Sequence, residues 1–539
     1  MKHMKKLIFA LLFLTAFALN AQNTPPPQNW FNLDPVKDSV NGVSTEKAYE
    51  FLQGRESKKV LVAVIDSGID IEHEDLRDVI WTNEDEIPGN GIDDDNNGYI
   101  DDVHGWNFIG GKDGRNVDKE TLEITREYKR LKAKYDAISA ADVTKEDEDE
   151  FEYWIKIQEE FEQNYSQATQ QAMMMDNINK QLIRYNQLFE AYLSDDEVTF
   201  DDLEKISSDD QVISQGKAML NQIFNMTDKS LTLDSLIYLL GKDMEQMSSD
   251  AQYSYNLDFN PREIVGDNPE QLDEVGYGNN DVIGTNTNNF HGTHVSGIIA
   301  ATRGNGIGID GVAKNVEIMA VRAVPDGDER DKDVGNAIRY AVDNGAQVIN
   351  MSFGKGYSPN TQYVYDAIEY AAENGVVLVH AAGNSAQNID EENNFPNDKF
   401  GRKGDWPNWI EVGASSWGSE GNYVGVFSNY GKDAVDVFAP GVAIYSLAPE
   451  NSYQSAQGTS MASPVTAGVV AMLLSYFPDL EADQVKDILM KSVRGVDVKV
   501  SQPGTGEEVK FSKLSASGGI INAYEAVKLA DSMKLGKGK

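Results

Sequence analysis

Short apolar runs rich in β-branched residues recur along the chain, separated by polar or glycine-containing segments. The first run, residues 59–65, reads KVLVAVI, which is typical of a strand buried on both faces of a parallel sheet. Runs of the same character follow at 316–324, 347–353, 376–383, 409–415 and 434–440. Helical patterns at 333–345 and 361–375 separate some of them and end in the Asn-Gly pair expected at a helix C-terminus; a short helix is also predicted at 45–52. Strands that alternate with helices predict an α/β domain with a mainly parallel sheet.

The pattern changes between residues 112 and 285, where strand signals vanish and a polar stretch rich in Gln and Glu keeps helical spacing. Residues 112–281 contain 38 acidic and 17 basic side chains, which is about half of the chain's excess negative charge. We therefore predict an acidic helical insertion at 112–285. It is either a spacer or lid of amphipathic helices or a subdomain that gates substrate or inhibitor. Disorder is disfavoured because the apolar residues keep a helical period.

The first 22 residues have the features of a secretory signal. Three lysines precede an apolar run at 7–19, and a small residue, Ala21, stands at the expected cleavage point. A membrane anchor is the alternative, but the run is short for a span of about 20 residues. We expect residues 1–22 to be cleaved, residues 23–44 to form a leader, and the mature protein to be secreted or periplasmic, without membrane association.

Composition narrows the possible partners and stabilising bonds. The chain has no cysteine, which excludes disulfides and thiolate metal sites. Its net charge of −40 disfavours binding to nucleic acid and to anionic membranes, and it supplies many carboxylates for cations. Bound calcium is the stabiliser we expect in an exported chain without disulfides. We also expect a monomer.

Three distant segments each present a residue type used in nucleophilic catalysis. Asp66 lies in VAVIDSGID, His291 in HGTHVSGIIAA, and Ser460 in QGTSMASPVTAG. A hydroxyl becomes a strong nucleophile when an imidazole takes its proton and a carboxylate orients that imidazole. Asp66 follows a predicted buried strand, and Ser460 precedes a proline in a predicted first helical turn, near free backbone N–H groups. The segments predict a serine hydrolase with the chain order Asp, His, Ser.

Other interpretations of these residues remain open. Asp66 is also suited to capping its own turn. The H-x-x-H pair of His291 and His294 suggests zinc, but no third ligand stands at a useful spacing, so His294 is interpreted as a packed residue. Ser463 is interpreted as a cap or packing residue. A structural role is predicted for the remaining histidines outside the signal, His73, His104 and His380.

Four motifs in this order, V-I-D-S-G, H-G-T-H-V-S-G, A-A-G-N-S and G-T-S-M-A-S-P, resemble those of the subtilisin-like serine peptidases (subtilases). The resemblance covers roughly residues 45–111 and 286–530. It implies a three-layer subtilisin-like fold, with a peptidase domain in two parts at 45–111 and 286–535. It also implies a serine endopeptidase that acts on proteins or peptides through an acyl-enzyme. The chain departs from the family pattern at the insertion, because subtilases place the Asp and His segments close together. A long surface insertion costs little loop-closure entropy, so it leaves the triad intact if its two ends lie near each other on the surface.

The resemblance assigns further roles by position. It makes His291 the base and Asn384 the side-chain donor to the oxyanion, although an asparagine there is also an ordinary turn residue. It makes the segment Ser352, Phe353 and Gly354 the strand that pairs with substrate, whereas Phe353 is equally suited to the core. Two other functions stay open: a non-catalytic surface binding protein on this scaffold, and esterase or acyl-transfer activity by the same triad.

A second local signal is the acidic segment DDDNNGYIDD at 93–102. Its oxygen-bearing groups alternate around a glycine at the sharp turn, as at the start of an EF-hand-like calcium loop. His104 replaces the usual bidentate glutamate, so Asp102 or a remote carboxylate must complete the shell. An acidic turn without an ion is the alternative. The predicted ligands are Asp93, Asp95, Asn97, the backbone of Tyr99, Asp101 and Asp102.

Overall fold

The computed structural model describes residues 26–194, 197–225, 229–285, 288–399, 406–418 and 421–534. The predicted signal at 1–22 lies outside these residues. The described residues form two compact units, one of which is Ile124–Phe259 and the other the segments on either side of it. The flanks 112–123 and 260–285, which were predicted as part of the insertion, fold with the larger unit.

A mainly parallel sheet runs through the larger unit. Its strands, with those of two small hairpins, are β1 (Val60–Asp66), β2 (Gly105–Asn107), β3 (Val316–Arg322), β4 (Val348–Met351), β5 (Val377–Ala381), β6 (Trp409–Ser415), β7 (Val437–Pro440), β8 (Ile444–Ala448), β9 (Ser452–Ala456), β10 (Arg494–Gly495), β11 (Lys499–Ser501), β12 (Glu508–Lys510) and β13 (Gly519–Ile520). Among the described residues, the sheet order is β10-β13-β7-β6-β5-β4-β1-β3-β2. All neighbours in it pair in parallel except β10 and β13. The hairpins pair β8 with β9 and β11 with β12.

The helices in the described part of the chain divide between the two units. They are α1 (Thr45–Leu52), α2 (Glu123–Tyr135), α3 (Glu148–Leu193), α4 (Phe200–Lys205), α5 (Gln211–Phe224), α6 (Leu233–Ser249), α7 (Phe290–Ala300), α8 (Asp331–Asp343), α9 (Thr361–Glu373), α10 (Thr459–Tyr476), α11 (Ala482–Ser492) and α12 (Ala523–Lys534). The six apolar runs predicted as strands form β1 and β3 to β7, and the fold class is confirmed.

Helices cover both faces of the sheet, which explains why the strands have continuous apolar runs. Along β1, Val62 and Val64 lie in one core with α7 and α10. Ala63 and Ile65 point to the opposite face and lie in a second core with α8 and α9. Successive side chains of a strand point to opposite faces, so a strand between two helical layers needs apolar residues at every position. The result is a three-layer unit.

Helix α10 lies inside this unit. Its 18 residues have a mean hydropathy of 1.2, and it is the one helix in the described part of the chain that is long and apolar enough to cross a membrane. In the fold, 89% of that stretch is buried. It packs on β4 to β7, on β1 and on α7, so its apolar character serves the core. The sequence pattern did not reveal this helix as a candidate span, because small residues interrupt its apolar ones.

The smaller unit, Ile124–Phe259, has its own hydrophobic core, as the helical insertion predicts. Its buried side chains, such as Leu182, Phe189 and Phe224, come from α3 to α6. Tyr128 of α2 stacks on Phe161 of α3 with ring centroids 4.0 Å apart. The apolar positions recur at helical spacing and meet in this core, while most acidic side chains remain on the surface.

Candidate active site

Asp66 is the last residue of β1, at the carboxyl end of a central strand between β3 and β4. It is buried, and the Ser67 backbone N–H donates to its Oδ1 at 2.8 Å. Gly68 follows with a φ of +125°, and a Cβ there would lie 2.5 Å from the carbonyl oxygen of Ile283. Only glycine allows the chain to turn this sharply so close to Ile283. The local sequence D-S-G therefore fixes the direction of the Asp66 carboxylate.

His291 lies in the first turn of α7 and is hydrogen bonded to Asp66. Its Nδ1 is 2.8 Å from Asp66 Oδ1 and 3.0 Å from Oδ2. The imidazole is 36% exposed whereas the carboxylate is 2% exposed, so the pair is reachable from the histidine side. With Nδ1 engaged, Nε2 is the ring atom left to exchange a proton with a substrate or a hydroxyl.

The electrostatics of this pair favour a basic imidazole. Burial disfavours the charged ring, but the attraction and hydrogen bond of the Asp66 carboxylate outweigh it and raise the pKa of His291 above its usual value. A raised pKa makes the ring a better proton acceptor and stabilises the imidazolium formed when it takes a proton.

Gly292 allows α7 to approach the turn after β1. A Cβ at this position would lie 2.3 Å from the Gly68 carbonyl oxygen and 3.1 Å from Cβ of Asp66. Thr293 then receives a hydrogen bond from the Asp70 backbone N–H at 2.8 Å. The H-G-T part of the motif thus acts by letting two backbones meet, which brings His291 to Asp66.

His294 is fully buried, with its Nε2 3.0 Å from the Gln454 carbonyl oxygen. Burial is the main cause that lowers the pKa of His294 to about 4, so the ring is neutral near pH 7. Among the described residues, the one group of three or more metal-ligating side chains that lie close together does not include it. The structure places His294 in the core and gives no support to the zinc alternative.

Ser460 is the second residue of α10 and is half-buried. Its hydroxyl donates to the Ser352 carbonyl oxygen at 3.1 Å, and the Ser352 hydroxyl donates back to the Ser460 carbonyl oxygen at 3.0 Å. The Ser460 hydroxyl must therefore leave the Ser352 carbonyl to give its proton to a base. Ser463, one turn further, is fully buried and donates to Asn350 Oδ1 at 2.8 Å, which keeps it from substrate.

Two nitrogen atoms able to donate hydrogen bonds lie near Gly458. The Asn384 side-chain oxygen accepts from the Thr459 backbone N–H at 2.8 Å and from its hydroxyl at 3.0 Å, which orients the amide. A Cβ built on Gly458 would lie 3.4 Å from Asn384 Nδ2 and 3.5 Å from the Ser460 backbone nitrogen. Both nitrogens therefore border one small volume, and an oxyanion site needs two donors in such an arrangement. Thr459, which the sequence did not single out, sets this orientation.

The predicted substrate-binding residues continue β4 past Met351. Ser352 and the side chain of Phe353 are buried, and Phe353 belongs to the core shared with α8 and α9. Gly354 is exposed, and a Cβ there would lie 2.7 Å from Asn394 Oδ1. What this segment offers to a ligand is therefore its backbone, and the ring of Phe353 serves the core.

The acidic loop gathers a different set of carboxylates from the predicted one. Ligand atoms of Glu86, Asp95 and Asp102 lie within 4.8 Å of one another. Asp93 accepts instead from the backbone N–H groups of Asn97 and Gly98, at 3.0 and 2.9 Å. Glu86 lies seven residues before the loop. It is a remote carboxylate of the kind expected to complete the shell in place of the usual glutamate at the twelfth position.

The remaining predicted ligands hydrogen bond to the backbone of the loop or to the clustered carboxylates. Asp101 accepts from the backbone N–H groups of Asn90 and Gly91, at 3.1 and 2.8 Å. The Asn97 amide donates to Asp95 and Asp102 at 3.0 and 3.1 Å, and its oxygen accepts from the Tyr99 backbone N–H. The turn therefore uses Asp101 and Asn97 to hold its own backbone and to orient the clustered carboxylates.

The cluster of Glu86, Asp95 and Asp102 has the chemistry of a cation site. Asp102 is fully buried, and burial raises its pKa although Tyr340 donates a hydrogen bond to it at 2.7 Å. Three carboxylates so close together repel one another, and hard oxygen ligands suit calcium. Asp95 of the cluster also lines a cleft of about 750 Å³, together with Asn97 and other mostly polar residues.

Arg322 is a further residue that the sequence did not reveal. It ends β3 directly opposite Asp66 in the parallel register and is fully buried. Its Nε donates to the Ser67 carbonyl oxygen at 2.7 Å and its Nη2 to the Val117 carbonyl oxygen at 3.1 Å. Burial lowers the pKa of Arg322, as expected for a cation in a confined site. The side chain thus supports the turn that presents Asp66.

Comparisons with known proteins show the family of this chain. The subtilase family model matches residues 57–513. The chain is similar to a thermophilic serine proteinase of Bacillus sp. (strain AK1), with 38% identity over 240 residues that cover 44% of this chain and 52% of the relative. It is 40% identical to subtilisin DY of Bacillus licheniformis over 202 residues, covering 37% of this chain and 69% of that protein. It is 34% identical to thermitase of Thermoactinomyces vulgaris over 240 residues, covering 44% and 75%. The chain thus spans about half the length of the first relative and more than two thirds of the other two.

Proposed function

The chain belongs to the subtilase family, and we propose that it is an exported serine endopeptidase that hydrolyses protein or peptide substrates through an acyl-enzyme intermediate. The observation that carries this proposal is the hydrogen bond between His291 and Asp66 at the carboxyl end of β1. Ser460 is the second residue of α10, which packs on β1 and on α7. A carboxylate-oriented imidazole and a serine at a helix N-terminus are the groups that acyl transfer uses.

Each proposed step uses a residue of this chain. Ser460 attacks the substrate carbonyl carbon while its proton passes to His291. Asp66 holds His291 in the tautomer with the proton on Nδ1 and stabilises the imidazolium. Asn384 Nδ2 and the Ser460 backbone N–H donate to the oxyanion. His291 then protonates the leaving amine, and water activated by His291 hydrolyses the ester on Ser460.

Covalent labelling tests the nucleophile directly. A serine-reactive phosphonate should modify wild-type protein at Ser460, as located by mass spectrometry of proteolytic fragments, and should abolish casein hydrolysis in proportion to labelling. Parallel rates on matched ester and amide substrates separate a peptidase from an esterase. Labelling at another residue, or none in a preparation that cleaves casein, would contradict the proposal.

Replacing Asn384 by alanine should lower kcat for peptide hydrolysis roughly 10²–10³-fold with little change in KM, because this donor acts mainly on the transition state. The measurement is steady-state hydrolysis of a chromogenic peptide. The control is Asn388→Ala, a nearby asparagine whose Oδ1 accepts from the Asp390 backbone N–H. An equal loss of kcat in both variants would show that the effect comes from a disturbance of the segment 384–388, and not from removal of the Asn384 donor.

We also propose that Glu86, Asp95 and Asp102 hold a calcium ion. The ion would neutralise the clustered carboxylates and tie together the turns of the loop. Because it binds the folded chain and not the unfolded one, excess chelator should lower the melting temperature of wild-type protein by about 5 °C, and added calcium should restore it.

A variant assigns the ion to this cluster. Glu86→Gln should abolish the calcium dependence of the melting curve measured by differential scanning fluorimetry, while Glu72→Gln, an exposed carboxylate outside the loop, should retain it. A melting temperature of wild-type protein that is the same in chelator and in calcium would remove the proposed site.

Export is the remaining part of the proposal. The predicted signal at 1–22 supports it, and N-terminal sequencing of protein released by the producing cell tests it. The mature chain should begin close after Ala21, at about residue 23, or at a later processing site. A mature protein that starts at Met1 would contradict cleavage.

A further inference from the structure

A second histidine–carboxylate pair lies inside the larger unit. His380 of β5 is fully buried, and its Nδ1 is 3.0 Å from both carboxylate oxygens of Glu411 in β6. The indole N–H of Trp409 donates to the same carboxylate at 2.8 Å. A buried carboxylate is costly unless its hydrogen bonds are satisfied, so this pair is ordered by its neighbours. The proposed mechanism makes no use of it.

The other ring nitrogen of His380 reaches the predicted substrate-binding segment. Its Nε2 is 2.8 Å from the Phe353 carbonyl oxygen. A carbonyl oxygen only accepts, so Nε2 carries a proton and donates it to Phe353. Glu411 holds the ring from its opposite side. The connection therefore runs from Glu411 through the imidazole to the backbone of residue 353.

The planarity of the peptide unit carries this constraint to the surface. The Phe353 carbonyl and the Gly354 N–H belong to one trans peptide plane and point in opposite directions. Holding the carbonyl inward on His380 thus turns the Gly354 N–H outward, at an exposed residue of the segment. An extended peptide that pairs with this segment as an added strand needs such an outward N–H for a main-chain hydrogen bond.

His380 also lies where β4 and β5 pair, and these two strands lead to Ser352 and to Asn384. In the parallel register His380 lies opposite Met351, the last residue of β4 before the substrate-binding segment. Asn384 follows four residues after His380, beyond the end of β5. On the other side, Ser352 exchanges hydrogen bonds with Ser460. The segment is therefore held at one point by the serine helix and at the next by His380.

We propose that His380, supported by Glu411, is a positioning residue that fixes the 353–354 peptide plane for binding of the substrate backbone. The role rests on the proposed peptidase function and on the substrate-binding role of Ser352, Phe353 and Gly354. His380 contacts no reacting atom. Its loss should weaken the binding of extended peptides and leave the chemistry on the triad intact.

The test compares substrates that use the segment with one that does not. In His380→Leu, KM for a peptide with four or more residues before the scissile bond should rise about tenfold, the scale of one lost aligning hydrogen bond, with kcat within about twofold. Hydrolysis of a small acetyl ester, which reaches only Ser460 and the oxyanion donors, should be unchanged. His380→Gln keeps an N–H donor, so its KM for the peptide should lie between the values of wild type and of His380→Leu. Rates are expressed per phosphonate-titrated site, so loss of folded protein does not enter.

His73→Leu is the matched control. His73 is also fully buried and hydrogen bonded to backbone, with Nε2 3.1 Å from the Ser452 carbonyl oxygen, but it does not contact the segment. It should lower the melting temperature without raising the peptide KM. If His380→Leu fails to fold, the KM of His380→Gln and of Glu411→Gln decides the outcome.

The outcomes separate this inference from the proposed function. An unchanged peptide KM in the folded variants, or an equal loss on peptide and ester, would overturn the positioning role. A wild-type protein that cleaves neither substrate and does not react with the phosphonate would instead overturn the proposed function.

Discussion

Replacing Ser460 by alanine should lower kcat for peptide hydrolysis by about 10⁵–10⁶-fold, because a triad acts as a unit and the base has no hydroxyl left to activate. The activity that remains should be that of the oxyanion donors and of substrate binding, about 10³–10⁴ over water. KM should change little, since the removed oxygen contributes mainly to the reaction. The measurement is hydrolysis of a fluorogenic peptide by purified variants at matched concentrations.

The control for this variant lies on the same helix. Ser475, near the far end of α10, donates to the Lys58 carbonyl oxygen at 2.6 Å, and Ser475→Ala should keep wild-type turnover with a small loss of stability. A Ser460→Ala protein that folds normally and still cleaves peptide within tenfold of wild type would show that another nucleophile performs the reaction.

Replacing Asp66 by asparagine should lower kcat about 10⁴-fold while the fold is retained. In wild type the carboxylate accepts the proton on His291 Nδ1, which leaves Nε2 free to take a proton from Ser460. An asparagine can present its N–H to Nδ1 instead, which favours the wrong tautomer. The loss should therefore appear in kcat more than in KM.

The pH dependence of the same variant supplies a second measurement. His291 acts as a base only when neutral, so turnover falls as the pH drops through its pKa. Because Asp66 raises that pKa, the acid limb of wild type should lie above the ordinary histidine value of about 6.5. In Asp66→Asn the limb should move to lower pH. The control is Asp70→Asn, four residues further along the chain, which should change neither kcat nor the pH of the acid limb. An acid limb that stays at the same pH in Asp66→Asn would contradict the assignment of Asp66 as the partner of the base.

Most strands of the sheet were predictable because the residue pattern that specifies them is local. A strand covered by helices on both sides needs apolar residues at each position, and the run from Val60 to Ile65 satisfies this without reference to the rest of the chain. The short strands β2, β10 and β13, at the two ends of the sheet order, were not predicted. They contain two or three residues each, too few for any periodicity, and they form only where a neighbouring strand supplies hydrogen bonds.

The candidate site was predictable in its residue types but not in its contacts. Asp66, His291 and Ser460 stand in motifs whose glycines and small residues are readable from the sequence, and their catalytic roles stay predictions. Glu86, which was not predicted, clusters with Asp95 and Asp102, whereas Asp93 accepts hydrogen bonds from the backbone N–H groups of Asn97 and Gly98. These contacts depend on the folded path of the loop.

For His380, too, the sequence did not reveal the contacts of the side chain. The sequence predicted a structural role for it, since no triad-like pattern surrounds it. Its partners, Glu411 and the Phe353 carbonyl, lie 31 and 27 residues away and meet it only through the register of β4, β5 and β6.

By itself, the sequence determined the layered α/β class, the helical character of the insertion, and the glycine-bearing turns that carry the acid, base and nucleophile candidates. These features depend on periodicity and on backbone freedom, which act over a few neighbouring residues. Only the tertiary structure decided which polar atoms meet: Asp66 with His291 across 225 positions, Arg322 beneath Ser67, and Thr459 with Asn384. Such meetings follow from strand register and helix packing, which sum many weak contacts over the whole core and leave no signature at any single position.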